Sequence, residues 1–148
     1  MGVCLWSRGF KQKAYRIWIC GQVNGFGIPW LRCGGVDFLR CGDRFNGDII
    51  TNPPYKYAKQ FVEHGLDLIN DGNKVFMFLK IQFLEGKERR KLFDTGQLKT
   101  VYVSSSRILC AKNGDFEGMI RGGGSAVAHA WYEFQKGYKG ETIVKWIN

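Results

Sequence analysis

The sequence predicts an α/β domain built on a Rossmann-like sheet that ends in an antiparallel hairpin. Three observations support this. Apolar β-type runs alternate with helical patterns from residue 36 onward, the central run is apolar almost throughout, and β-branched and aromatic residues crowd the C-terminus. Val36-Asp37-Phe38-Leu39 reads as a short first strand and Gly47-Asp48-Ile49-Ile50-Thr51 as a stronger second one. Ala58, Phe61, Val62, Leu66 and Ile69 recur at helical spacing, with Lys59, Glu63 and Asp67 on other faces. Asp71-Gly72-Asn73 is a turn that stops this helix. Lys74 to Lys80 then reads as a strand buried on both faces. A charged helix over 85–93 and a strand over 100–103 follow, and residues 104–125 read as loop. Residues 126–134 and 142–147 are expected to pair as the terminal hairpin.

The chain has 148 residues, 45% of them hydrophobic and 24% charged, enough for one domain with a core. No apolar run approaches the ~20 residues of a membrane span. The N-terminus lacks a signal-peptide pattern, and the five cysteines include no Cys-x-x-Cys pair. Free thiols in a reducing cytoplasm are therefore expected, with no membrane partner and no metal site. The net charge of +9 suits an anionic partner such as nucleic acid. Much of it lies in the first 36 residues, which hold five basic residues and no acidic one. His64 reads as a surface residue and His129 as packed or capping. Trp131 and Tyr132 alternate across a strand, so one is expected to face a ligand and the other the core.

Asn52-Pro53-Pro54-Tyr55, at the end of the second strand, carries the chemistry. An aromatic amine is a poor nucleophile because its lone pair is delocalised into the ring. Two carbonyl acceptors against its N–H groups favour a tetrahedral nitrogen with a directed lone pair. The Asn52 side chain and the Pro53 carbonyl are suited to this, and paired prolines stiffen the loop that aims them. Tyr55 supplies a ring on which an extruded base can stack. Ligands of open α/β sheets bind beyond the carboxyl ends of strands, which is where this loop falls.

The segment Asp48-Ile49-Ile50-Thr51-Asn52-Pro53-Pro54-Tyr55 resembles motif IV of the S-adenosylmethionine-dependent amino-group methyltransferases. Residues 34–148 are similar to small methyltransferase-like proteins of phages and prophages, through Gly34 to Leu39, Phe78 to Gly86 and Ala130-Trp131-Tyr132. The resemblance implies a class I methyltransferase sheet, S-adenosylmethionine as cofactor and DNA as partner, with adenine N6 as the methylated amine. It places Asp37, Phe38 and Asn52 on the cofactor, and Tyr55, Lys80, Gln82, Arg107 and Trp131 on the substrate. Guanine N2 in RNA and a protein glutamine present the same kind of amine and stand as alternatives. So does a degenerate domain that binds nucleic acid without turnover.

Residues 1–35 form an atypical N-terminal segment before the methyltransferase-like domain at 36–148. The family's glycine-rich strand-to-helix turn, which cradles the methionine end of the cofactor, is not found in residues 1–33. Cys20 to Gly27 imitates it, but Ile28-Pro29 leaves no room for the helix that must follow. Back-translation of Met1 to Gly9, read one nucleotide later, permits Trp-Glu-Cys-Ala-Cys-Gly-Gln-Gly, the family's turn. The same offset over 23–26 and 28–35 permits further family-like segments, as an out-of-frame translation would. The first strand–helix unit is accordingly expected to be missing or altered.

Overall fold

The computed structural model describes residues 17–23, 26–32, 38–42, 44, 46–106, 108 and 127–148. It is an α/β structure on one mixed seven-stranded sheet. In chain order the strands are β1 (Ile17–Val23), β2 (Phe26–Arg32), β3 (Gly47–Thr51), β4 (Lys74–Lys80), β5 (Leu98–Ser104), β6 (His129–Gln135) and β7 (Ile143–Ile147). Helix α1 (Ala58–Leu68) joins β3 to β4, and α2 (Lys87–Asp94) lies between β4 and β5. The spatial order is β2-β1-β3-β4-β6-β5-β7, with β3 parallel to β4 and β6 antiparallel to both its neighbours.

The register divides the sheet into two unlike faces. Ile49 lies opposite Val75 and Val75 opposite Phe134, while Met77 and Val101 both lie opposite Tyr132. These six side chains are at most 1% exposed and form the core. The apolar stripe of α1 (Phe61, Val62 and Leu66) joins the same cluster, as does Leu92 of α2. Gly65 lets α1 approach closely, since a Cβ there would sit 3.3 Å from both Val75 methyl groups. The chain leaves α1 through Gly72, whose φ of +86° suits a residue without a Cβ. The short turn after β4 is held by Tyr132, whose hydroxyl donates to the Lys80 carbonyl at 3.1 Å.

The second face carries Ile50, Phe76, Phe78, Trp131 and Tyr102, and neither described helix covers it. Its polar centre is Glu133, only 2% exposed. Lys74 Nζ lies 2.8 Å from one carboxylate oxygen, and the Tyr102 hydroxyl donates to the other at 2.7 Å. Burial pushes the Glu133 carboxyl up, but the hydrogen bonds from Lys74 and Tyr102 outweigh this and hold it below its usual range. Stability from this ionised group is therefore present above its unfolded pKa of about 4.3 and lost as pH falls through the lower folded value. Glu133→Ala is expected to cost about 2 kcal/mol, less than for a fully buried pair. The Lys74 side chain is 34% exposed, so its charge is screened. Urea unfolding checks the figure, and the double substitution Lys74→Met with Glu133→Leu should recover most of the loss.

The expected terminal hairpin does not form. Residues 129–135 insert between β4 and β5, and β7 pairs in parallel with β5 at the sheet edge. Residues 136–142 carry the chain across the start of β5: Lys139 Nζ donates to the Thr95 carbonyl, and the Thr142 hydroxyl to that of Leu98. The apolar β6 thus takes the central place, while Trp146 of β7 remains 71% exposed. The strand expected at 36–39 is also corrected, because Phe38–Arg40 is a single 3-10 turn. His64 is not a plain surface residue either: it packs edge-on against Phe38 with ring centres 5.1 Å apart, and its Nε2 is buried.

The N-terminal strands join the sheet as an antiparallel hairpin, β1 against β2, and β1 runs antiparallel to β3. Residues 17–23 and 26–32 are thus both strands, and residues 1–9, where the shifted reading places the family's glycine-rich turn, lie outside the described residues.

Candidate functional site

The site forms where β3 and β4 end and β6 begins. Thr51 is buried at the end of β3, and the chain emerges with Asn52 exposed, Pro53 buried and Pro54 extended at φ −61°, ψ 126°. The Pro54 carbonyl accepts from Tyr57 N–H at 2.8 Å, which closes a 3-10 turn at Tyr55–Tyr57 leading into α1. Two proline-fixed φ angles and this turn constrain the backbone from which Asn52 and Tyr55 project. Tyr55 is 42% exposed.

Around Tyr55 the sheet register assembles a row of rings. Lys80 lies opposite His129 and Phe78 opposite Trp131, so all four point to the second face. Ring centres are 5.9 Å apart for Tyr55 and His129, 5.3 Å for His129 and Phe78, and 5.1 Å for Phe78 and Trp131. The His129 and Phe78 planes are nearly parallel, at 16°. Lys80 Nζ lies 5.0 Å from the centre of the Tyr55 ring, within cation–π range. His129 is 6% exposed, and its Nδ1 has no hydrogen-bond partner among the described residues. Burial, then the nearby Lys80 charge, push its pKa down, against the smaller opposing effect of a hydrogen bond between the imidazole and the Val127 backbone. The ring is therefore neutral at pH 7.

Of the residues expected at the site, Asn52, Pro53, Pro54, Tyr55, Lys80 and Trp131 come to this one end of the sheet. Gln82 sits in the turn beyond β4, where its carbonyl accepts from Glu85 N–H at 3.0 Å and from Arg89 Nη2 at 3.2 Å. Phe38 belongs to the core at 4% exposure, its ring centre 5.0 Å from that of Phe61. Asp37 and Arg107 lie outside the described residues. Sequence reasoning did not anticipate that Phe78 and His129 would stand inside the row. The signal was the period of two, which puts Phe78 with Lys80, and His129 with Trp131, on one face of each strand.

The cofactor expectation can be tested on the strand next to β3. Ile17 lies opposite Thr51 and Gly21 opposite Gly47, so β1 runs away from Asn52. Val23, the last residue of β1, lies toward the opposite end of the strands, at least roughly 13 Å from Asn52 at ~3.3 Å per residue. The Cys20 to Gly27 imitation of a glycine-rich turn is thus at the wrong end. The described residues contain no strand–glycine-turn–helix unit beside Asn52, and Phe38 is enclosed by core residues. The described residues offer no cradle for the methionine end of S-adenosylmethionine.

Among the described residues no group of three His, Cys, Asp or Glu could hold a metal ion, and no helix is long and apolar enough to cross a membrane. No family model matches the chain, and a search of curated proteins returned no match.

Proposed function

We propose that this chain carries the acceptor-binding half of an S-adenosylmethionine-dependent amino-group methyltransferase, with adenine N6 in DNA as the amine held. The observation that carries this reading is the Asn52–Tyr55 loop at the carboxyl end of β3, its tyrosine half-exposed beside Lys80. In this reading the Asn52 side-chain oxygen and the Pro53 carbonyl each accept one N–H of the amine, and Tyr55 stacks on the extruded base. Lys80 offsets phosphate charge near the same ring. The cofactor, where bound, supplies an electrophilic methyl group to a nitrogen held in this way. Because the described residues offer no cradle for its methionine end, the reading extends only to holding and orienting the acceptor. A nucleic-acid-binding domain without turnover is the second reading, favoured by the antiparallel β1 in the place of the cofactor-binding strand.

Binding of a fluorescent DNA duplex with one extrahelical adenine tests the proposal, with fully paired and abasic duplexes as controls. Tyr55→Ala is expected to weaken binding of the extrahelical adenine about tenfold or more, from a stacking contribution of about 1–3 kcal/mol. Tyr55→Phe should bind as the parent does, because stacking needs the ring and not the hydroxyl. Equal damage from Phe and Ala would refute the stacking role. Methyl-transfer assays across DNA, RNA and protein acceptors separate adenine N6 from guanine N2 and from glutamine, and an absence of transfer to all three favours the second reading.

A further inference from the structure

β7 lies at one end of the strand order, and among the described residues no strand pairs with its outer side. Both of its faces are open as well: Ile143 is 48% exposed on one, and Val144 and Trp146 are 47% and 71% exposed on the other. The direction of its backbone groups follows from the ladder. Ser105 N–H donates to the Ile147 carbonyl at 3.1 Å, so Ile147, Lys145 and Ile143 turn their N–H and C=O groups toward β5. Val144 and Trp146 turn theirs outward. An edge of this kind is a template for pairing with another chain, and folds that avoid such pairing guard it with proline, a bulge or an unmatched charge. β7 has no proline and a single charge, Lys145, and that charge has a match four residues earlier in Glu141.

We propose that β7 is a dimerisation edge, to which a second copy of this chain adds its own β7, antiparallel, about a two-fold axis centred on Ile143. Charge complementarity selects both the occupant and the register. In Glu141-Thr142-Ile143-Val144-Lys145 an acid stands two residues before the centre and a base two residues after it. Both are exposed, and neither makes an ion pair among the described residues. Pairing about Ile143 sets each Glu141 opposite Lys145 of the second copy and brings the two Ile143 side chains together. Thr142 and Val144 then form the hydrogen-bonded pairs, which engages the outward N–H and C=O of Val144. Thr142 is tied to the sheet beside this edge by its hydroxyl, which donates to the Leu98 carbonyl at 2.7 Å. Opposed side chains share a face, so a two-fold axis through the sheet must fall on a residue. A centre at Lys145 would oppose two lysines, and a centre at Val144 would face each Lys145 with Ile143. The pairing is isologous, so it consumes the edge and stops at two copies. It is independent of the acceptor loop at Asn52.

Sedimentation equilibrium of the full chain tests the proposal. The parent is expected to be half dimeric at about 0.1 mM, as fits a single strand pair smaller than a standard interface. Val144→Pro removes an outward N–H without touching a bond to β5, and edge positions tolerate proline. It should stay monomeric at every concentration while keeping the circular dichroism spectrum of the parent. Lys145→Glu and Glu141→Lys should each weaken dimerisation about tenfold or more, because each makes both cross-strand pairs repulsive. An equimolar mixture of these two variants should associate as tightly as the parent, since every Glu then faces a Lys again. A role of either residue within one copy would not produce that recovery. A parent that is still monomeric at about 1 mM overturns the proposal and leaves the edge to a strand of another protein. Dimerisation of Val144→Pro at the parent's strength, or no recovery in the mixture, overturns it as well.

Discussion

Replacing residues 1–33 by their one-nucleotide-shifted translation is expected to raise affinity for S-adenosylmethionine at least about a hundredfold, some 2.7 kcal/mol, and to raise the melting temperature by about 5–10 °C. Both gains follow from the sheet. In the chain as it stands, β1 runs antiparallel to β3 and turns away from Asn52, so its glycines cannot approach a ligand there. Both described helices lie on one face, leaving Ile50, Phe76 and Trp131 of the other only half-buried. A parallel strand followed by a glycine turn and a helix would bring backbone N–H groups to the site. It would also bury that apolar face, at about 25 cal/mol per Å². Calorimetry and melting curves on the two chains decide the matter. Tight binding by the original chain, or no gain in the replaced one, would show that this N-terminus is a genuine variant and refute the out-of-frame reading.

In the chain with the replaced N-terminus, Asn52→Ala should lower turnover at least about a hundredfold, or 2.7 kcal/mol of transition-state stabilisation. The loss should fall on turnover and much less on cofactor affinity, since the assigned bond is to the acceptor amine. Asn52 is exposed at the end of a strand whose last residue, Thr51, is 1% exposed. The substitution therefore leaves the core intact. Single-turnover measurements with labelled cofactor separate the effects. Undiminished turnover in the variant would remove the loop from the chemistry.

Local pattern was a sound guide wherever one element's own periodicity decided the outcome. The stripe Ala58, Phe61, Val62 and Leu66 became the buried side of α1, and the apolar run 74–80 became a strand between two others. The Asn-Pro-Pro-Tyr loop was equally legible, because proline geometry acts within a few residues. Pairing was not legible in this way. Residues 129–135 and 143–147 have similar strand composition, and a short connection suggested a hairpin. Their partners were decided by burial: β6, with Tyr132 and Phe134 at 0% exposure, gains from neighbours on both edges, and β7 fills the remaining edge.

The candidate site divides along the same line. By itself the sequence determined the α/β class, the helix and strand that flank the loop, and the chemical groups at Asn52, Pro53 and Tyr55, all properties of contiguous residues. Only the tertiary structure decided that His129 and Phe78 stand between Tyr55 and Trp131, that Lys80 lies over Tyr55, and that Glu133 is buried against Lys74 and Tyr102. It alone decided that β1 runs against β3, away from the loop. The physical reason is that strand direction and cross-strand register are set by which apolar surfaces can be buried together. That is a relation between segments up to about sixty residues apart in this chain, and it leaves no mark on the period of either one.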